Sequence, residues 1–237
     1  WVGNEIPDRW RRVYRERFQP VLDSLYQGTD IVVAVDSLQS YLQRNMNFCY
    51  NNDFSFPHAG GVFILEHCIG TCREETDFLV YLLRALGIPV AVDRYIYSPD
   101  TFLAHSWNVF RDTTGHFIPT ELQRTGVTRE WVNHRCKGKV YRAFSVSQEQ
   151  PSIFGYLLKD VTTEYYPANE VRVSGIQSDV GVGLVGVFSM NGWVPIGEYK
   201  RRREEVWVEN IEIGQIYQPL VRTATGWKES GYPFMPQ

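Results

Sequence analysis

One stretch constrains this chain more than any other: Gly70 to Pro89, reading GTCREETDFLVYLLRALGIP. Thr71 and Glu74 stand at the spacing of a capping box, in which each side chain satisfies a free backbone N–H of the first turn. Phe78, Leu79, Leu82, Leu83 and Leu86 recur at helical spacing and give an apolar face. Gly87 can take the left-handed conformation that ends a helix, and Pro89 bars its continuation. The stretch is therefore expected to be a helix, with Thr71 as N-cap and Cys72 as its first residue. The positive end of the helix dipole favours thiolate over thiol there, which makes Cys72 a candidate nucleophile.

The rest of the composition narrows what such a thiol can serve. The chain has 237 residues, enough for one large domain or two small ones, and its 43% hydrophobic content suffices for a packed core. A net charge of −3 gives no general attraction to nucleic acid or acidic membranes, so no nucleic-acid partner is expected. The one dense basic run, Lys200-Arg201-Arg202-Arg203, is followed at once by acidic residues and reads as a solvated turn. No apolar run is long enough to span a membrane, so no transmembrane segment is expected. The chain opens on Trp1-Val2-Gly3 without Met or a signal peptide, as expected of a processed or truncated piece of a longer protein. Cys49, Cys68, Cys72 and Cys136 form no disulfide framework. Cys68 and Cys72 beside His67 are a poor metal set, and neither a metal nor another cofactor is expected.

Taken in order, residues 5–27 look helical, with Trp10, Tyr14, Phe18 and Leu22 four apart. A second helix is expected from about Thr29 to Asn45, capped by Thr29 or Asp30, with Val33, Val35, Leu38, Tyr41 and Leu42 on its apolar side. Residues 46–61 read as an irregular loop that could line a cleft. Alternation predicts strands over 90–97 and 103–110, a turn at Asp112-Thr113-Thr114-Gly115, and a returning strand over 116–121. Residues 122–160 read as a mixed, partly helical connection. Beyond Asp160, short strand-like runs separated by Gly, Asn and Pro predict a small all-β domain, with Trp193, Trp207 and Trp227 in its core.

A thiol nucleophile needs a base, and the base an orienting group. His105 is the best of the five histidines, because it sits in a strand just after the helix–strand unit. Glu121 falls directly opposite His105 if residues 110 and 116 pair, an odd register for which Gly115 could supply the bulge; an even connection would put Leu122 or Thr120 there instead. Trp107, which shares a face with His105, Asn108 and Tyr50 are candidate substrate-cleft residues. The backbone N–H of Cys72 is a natural oxyanion donor, and Asn45, Asn47 or Tyr50 could supply a second.

Four blocks now stand in order: Gly70-Thr71-Cys72-Arg73-Glu74, Leu83-Arg84-Ala85-Leu86-Gly87-Ile88-Pro89, His105-Ser106-Trp107-Asn108, and Phe117-Ile118-Pro119-Thr120-Glu121. In this the chain resembles the transglutaminase-like superfamily, a papain-like thiol fold with Cys at a helix start and then His and an acid on consecutive strands. Two positions depart from the family's usual text: Glu121 where it has Asp, and Phe117 where it has Trp. The flanks are similar, more loosely, to a bacterial cell-envelope branch whose core is followed by a β-rich domain. The resemblance implies an α+β chain with a transglutaminase-like domain at 1–158 and a β-sandwich-like domain at 160–237. It also implies a periplasmic or cell-surface setting and a peptide or glycopeptide-like substrate. The implied chemistry is acyl transfer, with Cys72 as nucleophile, His105 carrying the proton and Glu121 orienting His105. Hydrolysis of an amide in a peptide, peptidoglycan fragment or glycopeptide is the leading expectation. A binding or scaffolding protein without turnover and a protein cross-linker are the rivals.

Overall fold

The computed structural model describes residues 9–53, 59–100, 103–124, 126–130, 134–144, 154, 157–176, 182–190, 192–203 and 205–237. The chain is α+β and folds as two compact units. One comprises Trp1–Asp93 with Ser106–Asn133, the other Arg94–His105 with His134–Gln237. Residues 94–105 and 134–158 thus group with the C-terminal strands, whereas the sequence suggested a division near 159.

The first unit is built around its helices. α1 (Trp10–Leu25) buries Trp10, Tyr14 and Phe18, and α2 (Ile31–Asn45) is capped by Asp30, whose carboxylate accepts from the Val32 N–H at 2.9 Å. The part of the first predicted helix at 5–8 lies outside the described residues. On α2 the buried stripe is Val32, Ala34, Val35, Leu38, Gln39 and Leu42, and the expected core residue Val33 is exposed. α3 (Gly61–His67) is a short helix where the sequence shows only an apolar run, and α4 (Cys72–Ala85) is the capped helix expected. Aromatic rings weld α1 to α4: Trp10 meets Tyr81 at 5.0 Å and Tyr14 meets Phe78 at 5.6 Å. The Tyr14 hydroxyl, too deep for water, donates to the Gly61 carbonyl at 2.8 Å and so anchors α3 to the same cluster.

Between α2 and α4 the predicted loop contains β1 (Cys49–Tyr50), paired in parallel with β2 (Ile69–Gly70). Residues 54–58 of that loop lie outside the described residues. β3 (Val90–Tyr95), β4 (His105–Arg111) and β5 (Phe117–Thr120) follow α4 as predicted.

The β4–β5 hairpin departs from the predicted register. Phe110 pairs with Ile118 rather than His116, and Arg111 with Phe117. Continuing that register puts Trp107, not His105, opposite Glu121. The cause is Asp112, which opens the connection instead of extending the strand. Its Oδ1 accepts from the Thr114 N–H at 2.8 Å, the Thr114 hydroxyl at 2.6 Å and the His116 N–H at 3.1 Å. Gly115, at φ +92°, supplies the left-handed residue that the connection needs.

Arg129 joins Asp112 to α2, its guanidinium bonding Asp112 at 3.2 Å and Asp30 at 2.8 Å. The Thr114 hydroxyl first, then the Arg129 guanidinium and the two backbone N–H groups, hold the Asp112 carboxyl down to about 2 from an ordinary 3.8. A depressed carboxyl contributes stability that is complete above its unfolded value and is lost as pH falls through the folded one. The melting temperature of the native chain should therefore fall between about pH 4 and pH 2, measured by circular dichroism. Asp112→Asn should melt lower at pH 6 and show a visibly smaller drop over that window. Equal slopes for the two proteins would remove Asp112 from the acid response.

The second unit is mostly β. β6 (Tyr141–Ala143) pairs antiparallel with β7 (Leu158–Asp160), and a 3₁₀ turn (Thr162–Glu164) follows. The connection at 122–160, expected to be partly helical, contains no helix among the described residues. β8 (Glu170–Val173), β9 (Val182–Ser189), β10 (Gly192–Arg202), β11 (Glu205–Glu209), β12 (Tyr217–Thr223) and β13 (Gly226–Glu229) form one antiparallel sheet of order β13-β12-β9-β10-β11-β8. The expected sandwich is thus a single sheet among the described residues, with Val185, Val187, Ile196, Tyr199, Val208 and Tyr217 in its core. Residues 177–181, in the run expected to lead into β9, lie outside the described residues. Gly183 is required where it is, because it faces Tyr199 across the ladder and a Cβ would collide with that ring.

Two expectations about side chains in this unit change. The basic run lies mostly in β10, where Lys200 pairs with Glu209 at 2.7 Å and Arg202 with Glu170 at 2.7 Å and Glu209 at 2.6 Å. Strand alternation puts these acids and bases on one face, so the run is neutralised across the sheet instead of forming a solvated turn. Trp227 is 44% exposed at the sheet edge, with Arg222 over its ring, so it is no core residue.

Candidate active site

The site begins with the four N–H groups that every helix start leaves unpaired. In α4 the capping box handles two of them. Thr71 Oγ1 accepts from the Arg73 N–H at 3.3 Å, and Glu74 Oε2 accepts from the Thr71 N–H at 2.9 Å. Glu74 also accepts from the Thr71 hydroxyl at 2.9 Å and from Arg73 Nε at 2.6 Å, and it is wholly buried. Arg73, in the first turn, is therefore bound to a buried carboxylate. Neither half of the box uses the Cys72 N–H, which stays at the helix mouth beside its own half-buried thiol.

Tyr50 occupies that mouth. β1 brings it there: the Cys49 N–H donates to the Cys68 carbonyl at 2.7 Å, the Asn51 N–H donates to the Gly70 carbonyl at 2.8 Å, and Tyr50 pairs with Gly70. The Tyr50 hydroxyl hydrogen-bonds both the backbone N–H and the thiol of Cys72. Burial first, and then the negative charge of Cys72 and of Glu75, push its phenol above the ordinary 10.0. It therefore keeps its proton at neutral pH and remains a donor. Gly70 lies at φ +153° with Glu74 against its Cα, and a Cβ there would overlap the Glu74 side chain. Cys68, at φ 47°, ends α3 in the left-handed region, and its thiol donates to the Leu65 carbonyl at 3.5 Å.

The other predicted site residues are placed as follows. His105 begins β4 and is grouped with the second unit, half-buried, its ring 5.9 Å from that of Tyr95. Glu121 follows β5 in the first unit, half-buried, and its carbonyl accepts from the Gln39 side chain at 2.8 Å. Trp107 and Asn108 are each 0% exposed, so neither presents a surface to substrate. Asn108 instead donates to the Thr76 carbonyl of α4 at 3.0 Å, locking β4 onto the helix that carries Cys72. Asn45 donates to the Tyr41 carbonyl within its own helix at 2.8 Å, and Asn47 lines a separate pocket. Of the three oxyanion candidates, Tyr50 is the one whose hydroxyl bonds the Cys72 N–H. Sequence reasoning missed Glu75, whose charge reaches Tyr50, and Gln123, which donates to Glu75 at 2.5 Å. Glu75 had a signal, its place in the first turn of the cysteine helix. Gln123 had none, because fold alone brings the segment after β5 to that turn.

Among protein families no model matches this chain, and among curated proteins none does. Among solved structures, it is similar to a chain described as "a Putative Cysteine Protease from Cytophaga hutchinsonii", at 17% identity and a TM-score of 0.38. The match covers 52% of this chain and 43% of that one. A likeness this loose carries no argument about function. No helix among the described residues is long and apolar enough to cross a membrane.

Proposed function

We propose that this protein is a thiol hydrolase that cleaves an amide bond of a peptide, peptidoglycan fragment or glycopeptide through a thioester on Cys72. The observation that carries the reading is the mouth of α4, where the thiol and backbone N–H of Cys72 meet the protonated phenol of Tyr50. Its spacing to the His105 and Glu121 blocks supports the same assignment, as the resemblance to transglutaminase-like proteins implies.

In the proposed reaction the Cys72 thiolate attacks the amide carbonyl carbon. The oxygen takes up negative charge and accepts hydrogen bonds from the Cys72 N–H and the Tyr50 hydroxyl, displacing the bond those two groups make to each other. The carbon–nitrogen bond breaks, and the amine leaves with a proton from the His105 imidazolium. Water, deprotonated by His105, then attacks the thioester and releases a carboxylic acid and the free thiol. The resemblance alone assigns Glu121 to orient His105, since the observed register sets it opposite Trp107, which shares a face of β4 with His105.

Profiling against a library of peptide amides tests this. The native chain should cleave a subset that Cys72→Ala leaves intact. Tyr50→Phe should lower kcat on those substrates about 10²-fold, the usual effect of removing one oxyanion donor, with KM little changed. Turnover that survives in Cys72→Ala would end the proposal.

A further inference from the structure

A second feature of the first unit has no role in that chemistry. Beside the mouth of α4 is a pocket of about 180 Å³, lined by Leu42, Gln43, Met46, Asn47, Phe48, Leu122 and Gln123. Its floor is apolar: Leu42 and Leu122 are 1% and 5% exposed. Met46 and Phe48 are half-buried walls. Its rim is formed by the exposed primary amides of Gln43, Asn47 and Gln123. Among the described residues, no charged one lines it.

Size and chemistry together restrict the occupant. Ligand sites that enclose a whole small molecule run from about 300 Å³ upward. A pocket of about 180 Å³ suits one bulky side chain. An apolar floor excludes a charged group, which would lose its hydration without a partner. Rim amides each offer both donors and an acceptor, the complement of a peptide backbone crossing the opening.

One rim residue ties the pocket to the first turn of the cysteine helix. Gln123 on its rim donates to Glu75, and the charge of Glu75 reaches Tyr50, whose hydroxyl bonds Cys72. We infer that this pocket is the specificity subsite of the enzyme, taking a bulky apolar side chain such as leucine or phenylalanine of a peptide substrate next to the bond that Cys72 attacks. The inference rests on the thiol reading for its place in catalysis, and on the pocket itself for its ligand.

Two measurements separate the failure of one from the failure of the other. The first does not need the thiol. In Cys72→Ser, the Met46 methyl resonance and the side-chain amides of Gln43, Asn47 and Gln123 should shift saturably on titration with N-acetyl-leucine N-methylamide. The glycine analogue should move none of them. Absence of the leucine-specific shift overturns the subsite, whatever Cys72 does. The second uses peptide chloromethyl ketones with Ala, Leu or Phe next to the warhead, read as Cys72 alkylation by mass spectrometry. Leu and Phe probes should react about tenfold faster than Ala, the discrimination that apolar pockets give. Gln43→Trp, on an exposed turn of α2, should lay a ring over the pocket and abolish that preference. Equal rates for the three probes, with Cys72 still reactive to iodoacetamide, would overturn the subsite and spare the thiol. A Cys72 inert to every reagent, with the Met46 shift intact, would leave an apolar peptide site and sink the hydrolase.

Discussion

Iodoacetamide near pH 7.5 should modify Cys72 well before the other three cysteines. The physical case differs for each thiol. Cys136 is pushed up to about 11, first by burial and then by the Glu212 and Asp100 carboxylates. At pH 7.5 it is thiolate in roughly one molecule in three thousand, against roughly one in ten for an ordinary thiol at about 8.5. Its alkylation should be slower than that of an unperturbed thiol by more than about a hundredfold. Burial likewise raises Cys68, whose thiol already donates to a carbonyl. Cys49 is exposed, but it lies on a short strand away from a helix start and serves as the accessible-thiol reference. Cys72 alone has the helix mouth, where the dipole favours the anion. His105→Ala should bring its rate down to that of Cys49 if the imidazole pairs with the thiolate as proposed. Site-resolved mass spectrometry over a time course reads all four rates at once. Equal rates in the native chain would remove the nucleophile, and with it the hydrolase.

The largest stability effect should come from Glu74→Ala. Glu74 is buried without exposure and accepts from the Thr71 N–H, the Thr71 hydroxyl and the Arg73 guanidinium. Alanine leaves a backbone N–H and a half-buried guanidinium without their acceptor and opens a hole against Gly70. Removing one member of a buried charge-assisted cluster costs about 3 kcal/mol. The urea midpoint should drop accordingly, with little change in the slope of unfolding free energy against urea. Glu74→Gln should recover part of the loss, since an amide oxygen can still accept from Thr71 but carries no charge for Arg73. The same loosening should slow Cys72 alkylation, because the cap holds the helix mouth in place. A Glu74→Ala protein as stable as the native chain would mean that the box is ornamental.

How much of this was legible beforehand depended on the range of the interaction. Capping and helical periodicity act within a few residues, and Thr71, Cys72, Glu74 and Gly87 were all readable from the letters alone. So were a cap at Thr29 or Asp30, which the structure resolves to Asp30, and the β4–β5 turn with its Gly115. The register of that hairpin was not, because it turned on the Asp112 side chain taking three hydrogen bonds at the start of the connection. Val33 was misread because, beside the buried Val32, Val35, Leu38 and Leu42, it falls just outside the stripe that α2 turns inward. The role of Asn108 was hidden because its partner, Thr76, is far away in sequence.

By itself the sequence determined that a capped, apolar helix would begin at a cysteine, since both the box and the periodicity are local and obey fixed spacings. The tertiary structure decided what surrounds that cysteine. A two-residue parallel pairing draws Tyr50 onto the helix mouth, and the packing of α2 against the segment after β5 opens an amide-rimmed pocket beside it. Both depend on residues brought together from distant parts of the chain, where no spacing rule reaches.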